Sequence, residues 1–154
     1  MPTVSGIHVW LILMKAFHSM AGCAARDLRG TGLGESDFRV LEVLLHKGPL
    51  PVNTIGPKVF LTAGSISTAV ERLYARGLVS RIDSKADRRV RMVDLTPKGR
   101  RLINRIFASH AKNMEEVAGV LTDAERAQLV EILKRLGKHA AARLEEAGKP
   151  AVHN

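Results

Sequence analysis

Thr62, Gly64, Ser65, Ser67, Thr68 and Arg72 are the residues best suited to chemistry with a partner, and that chemistry is hydrogen bonding rather than catalysis. The run 61–77, LTAGSISTAVERLYARG, sets Ile66, Ala69, Val70 and Leu73 at helical spacing, so they form one apolar stripe. At about 100° per residue, Gly64, Thr68 and Arg72 point away from that stripe, and Ser65 and Ser67 flank it. Thr62 precedes the stripe as an N-cap and Gly77 follows it as a left-handed stop. Hydroxyls donate to phosphates or base edges, Arg takes guanine bidentately, and Gly admits a close backbone. Such a face suits a DNA major groove. It would also suit a plain solvated helix, and the helix by itself leaves both readings open.

The next residues separate the two. Leu78 to Ile82 and Arg91 to Leu95 read as strands, and the loop 83–89 between them carries Lys85, Arg88 and Arg89. Helix, strand, cationic loop, strand is the order of a winged helix-turn-helix. Residues 36–101 hold 13 Lys/Arg against 6 Asp/Glu, so +7 of the chain's net charge of +9 lies in that segment. Basic charge concentrated there is the footprint of a polyanion partner, and it argues against a winged domain used only for protein contact. A non-specific architectural DNA binder would share it and differ only in its specificity ratio.

The stretch DRRVRMVDLTPKG, Asp87 to Gly99, resembles the wing-to-helix signature of the multiple-antibiotic-resistance regulator (MarR) family. The likeness reaches back through Phe38-Arg39-Val40-Leu41, the Gly48-Pro49-Leu50 turn and Gly77-Leu78-Val79, and so spans about Ser36 to Gly99. It implies that Arg89 is the wing-tip residue in the minor groove, that Asp87 orients it, and that Arg81, Lys85, Arg88 and Arg91 touch phosphates. It also implies a homodimeric regulator, most simply a repressor released by a small aromatic or phenolic ligand. In that family ligands sit between the dimer helices and the winged domain. Trp10, Met14, Phe17, His18, Phe38 and Leu41 are the candidate lining here.

The elements that must position these residues are mainly helical, giving a mainly α fold with a small β-wing. Residues 36–101 form the winged helix-turn-helix; 1–35 and 102–154 supply terminal dimerisation helices. The first helix, Ile7 to about Leu28, has no polar position from Val9 to Met14, and a helix apolar all round is covered on all sides. Ser36 is the expected cap of a second helix reaching about His46, with Phe38, Leu41, Leu44 and Leu45 inward. A third runs from a cap at Asn53 to about Phe60. There Gly56 and Pro57 depart from the family pattern, and Pro57 removes about one hydrogen bond, so a short or distorted helix is expected. Pro97 opens a long helix with the stripe Leu102, Ile103, Ile106, Phe107, His110, Met114, Val117 and Leu121. Thr122 and Glu125 form a capping box for the last helix, whose stripe is Leu129, Ile132, Leu133, Leu136, Ala140 and Leu144. Those terminal stripes exceed what the winged domain covers, and a two-fold dimer would also present two recognition helices to a pseudo-palindromic site.

Other chemistries are weaker. There is no G-x-S-x-G, H-E-x-x-H, C-x-x-C or phosphate-binding Gly loop, so neither an enzyme nor a cofactor is expected. Cys23, His18, His46 and His110 lack compact ligand spacing for a metal. Cys23 is the single cysteine; a redox role would rest on nearby Arg26, but it lies between Gly22 and Ala24 and later than the first-helix cysteine of oxidant-sensing relatives, where Trp10 falls instead. Met20-Ala21-Gly22-Cys23 imitates a lipoprotein cleavage site, yet no Lys or Arg precedes the apolar run and Lys15 and His18 interrupt it. That run is also too short for a membrane span. A cytoplasmic protein with no membrane partner is expected.

Overall fold

The computed structural model describes residues 3–84, 87 and 90–147. Helix α1, Gly6–Asp27, starts where the Ser5 hydroxyl accepts from the His8 N–H at 3.3 Å. Helix α2, Glu35–Lys47, begins two residues earlier than expected, because Gly34 and not Ser36 is its N-cap, and it ends on Gly48 at φ 75°. Strand β1 is only Leu50–Pro51 and leads straight into α3, Val52–Val59. Pro51 rather than Asn53 caps α3, and Pro57 lies inside it, so the helix is short, as its missing donor requires.

Helix α4, Ala63–Ala75, has the Thr62 cap and a Gly77 stop at φ 67°. There the Gly77 and Leu78 N–H groups donate to Tyr74 and Leu73 carbonyls, closing the helix in the paired pattern that glycine permits. Strands β2, Val79–Asp83, and β3, Arg91–Leu95, pair antiparallel with Val79 opposite Leu95. The sheet has three strands in the order β1-β3-β2, Leu50 opposing Val93. In the sequence Leu50 shows only as the end of the Gly48-Pro49-Leu50 turn, and the structure makes it the start of β1. Pro51 is tolerated because β1 is an edge strand.

Helices α5, Pro97–Ala118, and α6, Asp123–Ala147, follow. The Thr96 hydroxyl accepts from Gly99 at 3.0 Å to cap α5, and Thr122 and Glu125 reciprocate at the head of α6. By its contacts the chain divides into two units, Met1–Met114 and Glu115–Asn154, the boundary falling within α5. In the second unit, Arg126 bonds Glu115 at 2.6 Å and the Ala118 carbonyl at 3.2 Å.

The core lies in the first unit. Leu41, Leu44, Ile55, Ile66, Leu73, Leu78 and Ile103 are wholly enclosed, each contributing about 1.5–3 kcal/mol. Two glycines are required by close approach. A Cβ on Gly99 would sit 1.9 Å from the Leu78 carbonyl oxygen, so the start of α5 touches the backbone entering β2. A Cβ on Gly56 would sit 2.9 Å from the Leu61 oxygen and 3.3 Å from Ile66, so the departure from the family pattern is where α3 meets the turn into α4. That turn holds Phe60 at φ 56°, 91% exposed, which strains a bulky residue by about 1–3 kcal/mol.

Neither α1 nor α6 buries any residue. Trp10, Leu11, Met14 and Phe17 are exposed on α1; Leu129, Ile132, Leu133 and Leu136 are exposed on α6. By length and composition the whole of α1 could cross a membrane, which the short run Val9 to Met14 alone did not suggest.

Candidate nucleic-acid interface and adjoining cavity

The head of α4 is organised by its own hydroxyls. Thr62 Oγ1 accepts from the Ser65 N–H at 3.2 Å and donates to Ser65 Oγ at 2.9 Å. Thr68 donates back to the Gly64 carbonyl at 3.0 Å, which leaves its oxygen as an outward acceptor. Gly64, Ser65, Ser67 and Thr68 are all exposed on one side, while Ile66, Ala69, Val70 and Leu73 are buried on the other. A Cβ on Gly64 would meet nothing within 4 Å, so the chain's own packing does not call for glycine there.

Arg72 is placed differently from an outward, unpartnered reader. Its Nε and Nη2 donate to Asp37 at 3.2 and 2.7 Å, and Asp37 is the buried charged residue of the core at 4% exposure. The hydrogen bond and the charge of Asp37 together raise the Arg72 pKa above its ordinary value. The pair ties α4 to α2 and commits one edge of the guanidinium. Asp37 escaped the sequence reading because its partner lies 35 residues away.

Arg81 on β2 pairs with Glu71 at 2.5 Å and lies 4.7 Å over the Tyr74 ring, so it is held against α4. In the loop, Ser84 N–H donates to the Val90 carbonyl and Val90 N–H to the Asp87 carbonyl, both at 2.9 Å. Asp87 and Arg91 are exposed. Lys85, Arg88 and Arg89 lie outside the described residues. Two further cations stand on the α4 side: Arg76 donates to the Gly32 carbonyl at 2.7 Å and Lys98 to the Arg76 carbonyl at 2.9 Å.

Beside this domain is an apolar cavity of about 320 Å³ among α1, α2 and α5. Phe17 and Phe38 line it as expected. Trp10, Met14 and His18 do not: they are exposed elsewhere on α1. Leu41 does not either, because it is 0% exposed inside the core. The polar lining is Glu35, Arg39, Glu42 and His110, none of them anticipated; Asp27 and Asn113 stand behind His110. His110 Nδ1 is 2.9 Å from Asp27, Asn113 donates to the other Asp27 oxygen at 2.8 Å, and the His110 ring meets Phe38 edge-on at 5.2 Å. Arg39 lines the same space and donates to Glu35 and, at 3.2 Å, to the Val59 carbonyl. His110 was visible on the α5 stripe; the 83-residue separation from Asp27 hid its pairing. Among the described residues no group of three His, Cys, Asp or Glu side chains could hold a metal, and Cys23 is half-buried.

Comparison with known proteins agrees with this geometry. The MarR family model matches residues 31–90. The HTH-type transcriptional regulator MhqR of Bacillus subtilis is 36% identical over 138 residues, covering 90% of this chain and 95% of that protein. Bordetella bronchiseptica BpsR, whose structure is described as a mechanism for regulation of DNA binding by 6-hydroxynicotinic acid, superposes with a TM-score of 0.74 at 26% identity, covering 84% of this chain and 98% of that one. A MarR-family regulator from Silicibacter pomeroyi shares the fold, with a TM-score of 0.72 at 24% identity and coverage of 81% and 84%.

Proposed function

The chain belongs to the MarR family of DNA-binding transcriptional regulators, which are not enzymes, and on that premise we propose that it is a cytoplasmic homodimeric repressor of a pseudo-palindromic operator. The observation that carries the reading is the outer face of α4. Ser65, Ser67 and Thr68 stand exposed around Gly64, whose open surroundings favour approach by a second molecule. These residues are assigned to the major groove together with Thr62. Arg81, Lys85, Arg88 and Arg91 are assigned to phosphates, and Arg89, oriented by Asp87, to the minor groove. Arg72 acts by holding α4 through Asp37.

The dimer follows from α1 and α6. Two long helices with exposed apolar stripes are best covered by the same helices of a second copy, in an isologous contact. A membrane would cover α1 as well, but it would leave the α6 stripe in water.

The effector is a small aromatic compound in the α1–α2–α5 cavity. Phe17 and Phe38 supply the apolar walls, and Arg39 and His110 the polar contacts. Regulation of BpsR by 6-hydroxynicotinic acid supports this class.

Fragments selected from random DNA by the purified protein should share a palindrome and bind with a log–log salt slope of about −0.9 per phosphate neutralised. Arg89→Ala should cost about 1–3 kcal/mol of binding and leave the dimer intact. Equal affinity for random DNA would reduce the protein to an architectural binder.

A further inference from the structure

Arg72 leaves a place open on α4. Its guanidinium is drawn to Asp37, so the outer face lacks the long side chain that spacing assigned to it. The residue before it takes that place. Counted at about 100° per residue from the stripe of Ile66, Ala69, Val70 and Leu73, Glu71 lies nearer the middle of the outer face than Arg72 does. It stands on the side of Gly64, one turn on from Ser67, and it is the only acidic residue of α4.

Its carboxylate is held in place. Glu71 Oε1 accepts from Arg81 Nη2 at 2.5 Å, and the Arg81 guanidinium lies 4.7 Å over the ring of Tyr74, three residues further along α4. The Arg81 side chain is 21% exposed and that of Glu71 67%, so the cation is packed down while the acid faces outward. Both border a hollow of about 180 Å³ with Val52, Ser67, Val70 and Arg91, which joins the outer face of α4 to strands β2 and β3. A lone carboxylate there would be repelled by the phosphates of a duplex, and the adjoining guanidinium cancels that charge. A pair this exposed adds little to stability, so its use lies in what the acid meets.

Resting on the reading of α4 as the major-groove helix, we propose that Glu71 is a base reader that selects cytosine through its N4 amino group, with Arg81 as its positioning residue. A carboxylate offers acceptors only. Guanine presents the N7 and O6 acceptors in the major groove and thymine presents O4, so both repel it. Adenine offers its N6 amino group but sets the N7 acceptor beside it, where the second carboxylate oxygen would fall. Cytosine offers the N4 amino group with no acceptor next to it. Arg81 keeps Oε1, and with it the orientation of the group, and Oε2 is left to the base. A guanidinium carries five N–H groups, so Arg81 can hold Glu71 and touch a phosphate together.

The test uses the full-length dimer and operator fragments selected from random DNA, with each half-site position then changed to the other three base pairs. Wild type should prefer C·G at one position per half-site, and T·A there should cost about tenfold in affinity, the scale of one lost base contact. Glu71→Gln sets a donor beside an acceptor, the pattern that suits adenine N6 and N7, so its preference at that position alone should move from cytosine to adenine. Glu71→Ala should flatten that position, leave the others as they are, and bind random DNA at least as well as wild type. Arg81→Met should flatten the same position and weaken binding to every sequence, and adding Glu71→Ala to it should change the preference no further. Melting curves establish that each variant is folded. A wild-type base profile in Glu71→Ala, an unmoved preference in Glu71→Gln, or a loss in Arg81→Met that spares this position would overturn the proposal. Failure of the wild type to select any sequence would instead remove the regulator reading on which it rests.

Discussion

Gly64→Ala should make the protein more stable and a worse DNA binder, and the two signs together test the placement of α4. Gly64 is the second residue of α4, exposed, and a Cβ there meets nothing within 4 Å. Replacing glycine by alanine in helical backbone narrows the unfolded ensemble and is worth about 0.4–1 kcal/mol. A first-turn position favours the lower end. A change of that size raises the melting temperature by roughly 1–3 °C in a chain of this length. Against DNA the same methyl is an obstruction where the backbone approaches closely. Loss of one close contact or hydrogen bond should lower affinity about tenfold, or about 1.4 kcal/mol. The control is Gly56→Ala, where helix propensity gains about 1 kcal/mol but the new Cβ would stand 2.9 Å from the Leu61 oxygen. Crowding against backbone costs about 1–3 kcal/mol, so there the net sign is destabilising. Thermal melting and fluorescence anisotropy at one salt concentration read both quantities. A stabilised Gly64→Ala protein with unchanged operator affinity would refute a groove-facing Gly64. A destabilised one would refute the open surroundings assigned to it.

Asp37→Asn and Arg72→Met should each weaken operator binding uniformly across sequence variants, and the double variant should lose less than the two losses added, because both break one link; altered preference at a single base would make Arg72 a reader instead. Trp10→Glu on α1 and Leu133→Glu on α6 should each shift sedimentation towards monomer, since a buried apolar side chain is worth about 1.5–3 kcal/mol and a two-fold contact loses it twice. Glu125 titrates below its ordinary range because its carboxylate accepts from the Thr122 N–H first and the Thr122 hydroxyl second. A depressed folded pKa stabilises above the unfolded value and is lost as pH falls through the folded one. Amide exchange at the head of α6 should therefore accelerate at acid pH in the wild type and be fast at neutral pH in Glu125→Ala.

Most of the fold is legible because it is written in short-range chemistry. Thr62, Gly77, Pro97 and the Thr122–Glu125 box act within a few residues of themselves, and the helices they bound stand where the sequence puts them. The misplaced boundaries have local competitors. Gly34 caps α2 through backbone alone although Ser36 offers a side chain, and Pro51 serves α3 although Asn53 is the better acceptor. The β1 strand is too short to show a period of two, and it is defined by its partner, Val93, not by itself.

The candidate site divides along the same line. The outer face of α4 follows from helical spacing, and nothing distant is needed to expose Ser67 and Thr68. What spacing cannot show is which polar group already has a partner. Arg72 points off the apolar stripe as predicted, yet it is long enough to reach back to Asp37 on another helix. Phe38 and Leu41 are both apolar residues of α2 three positions apart, and only packing from α4 and α5 decides that one walls a cavity while the other is sealed in the core. Arg39, close in sequence to Asp37 and Phe38, belongs to the quoted family stretch and gives no local sign of its contact, which is with the carbonyl of Val59, 20 residues on. An exposed helix face belongs to one element and is therefore periodic; a cavity requires separate elements to touch, and so leaves no period to read.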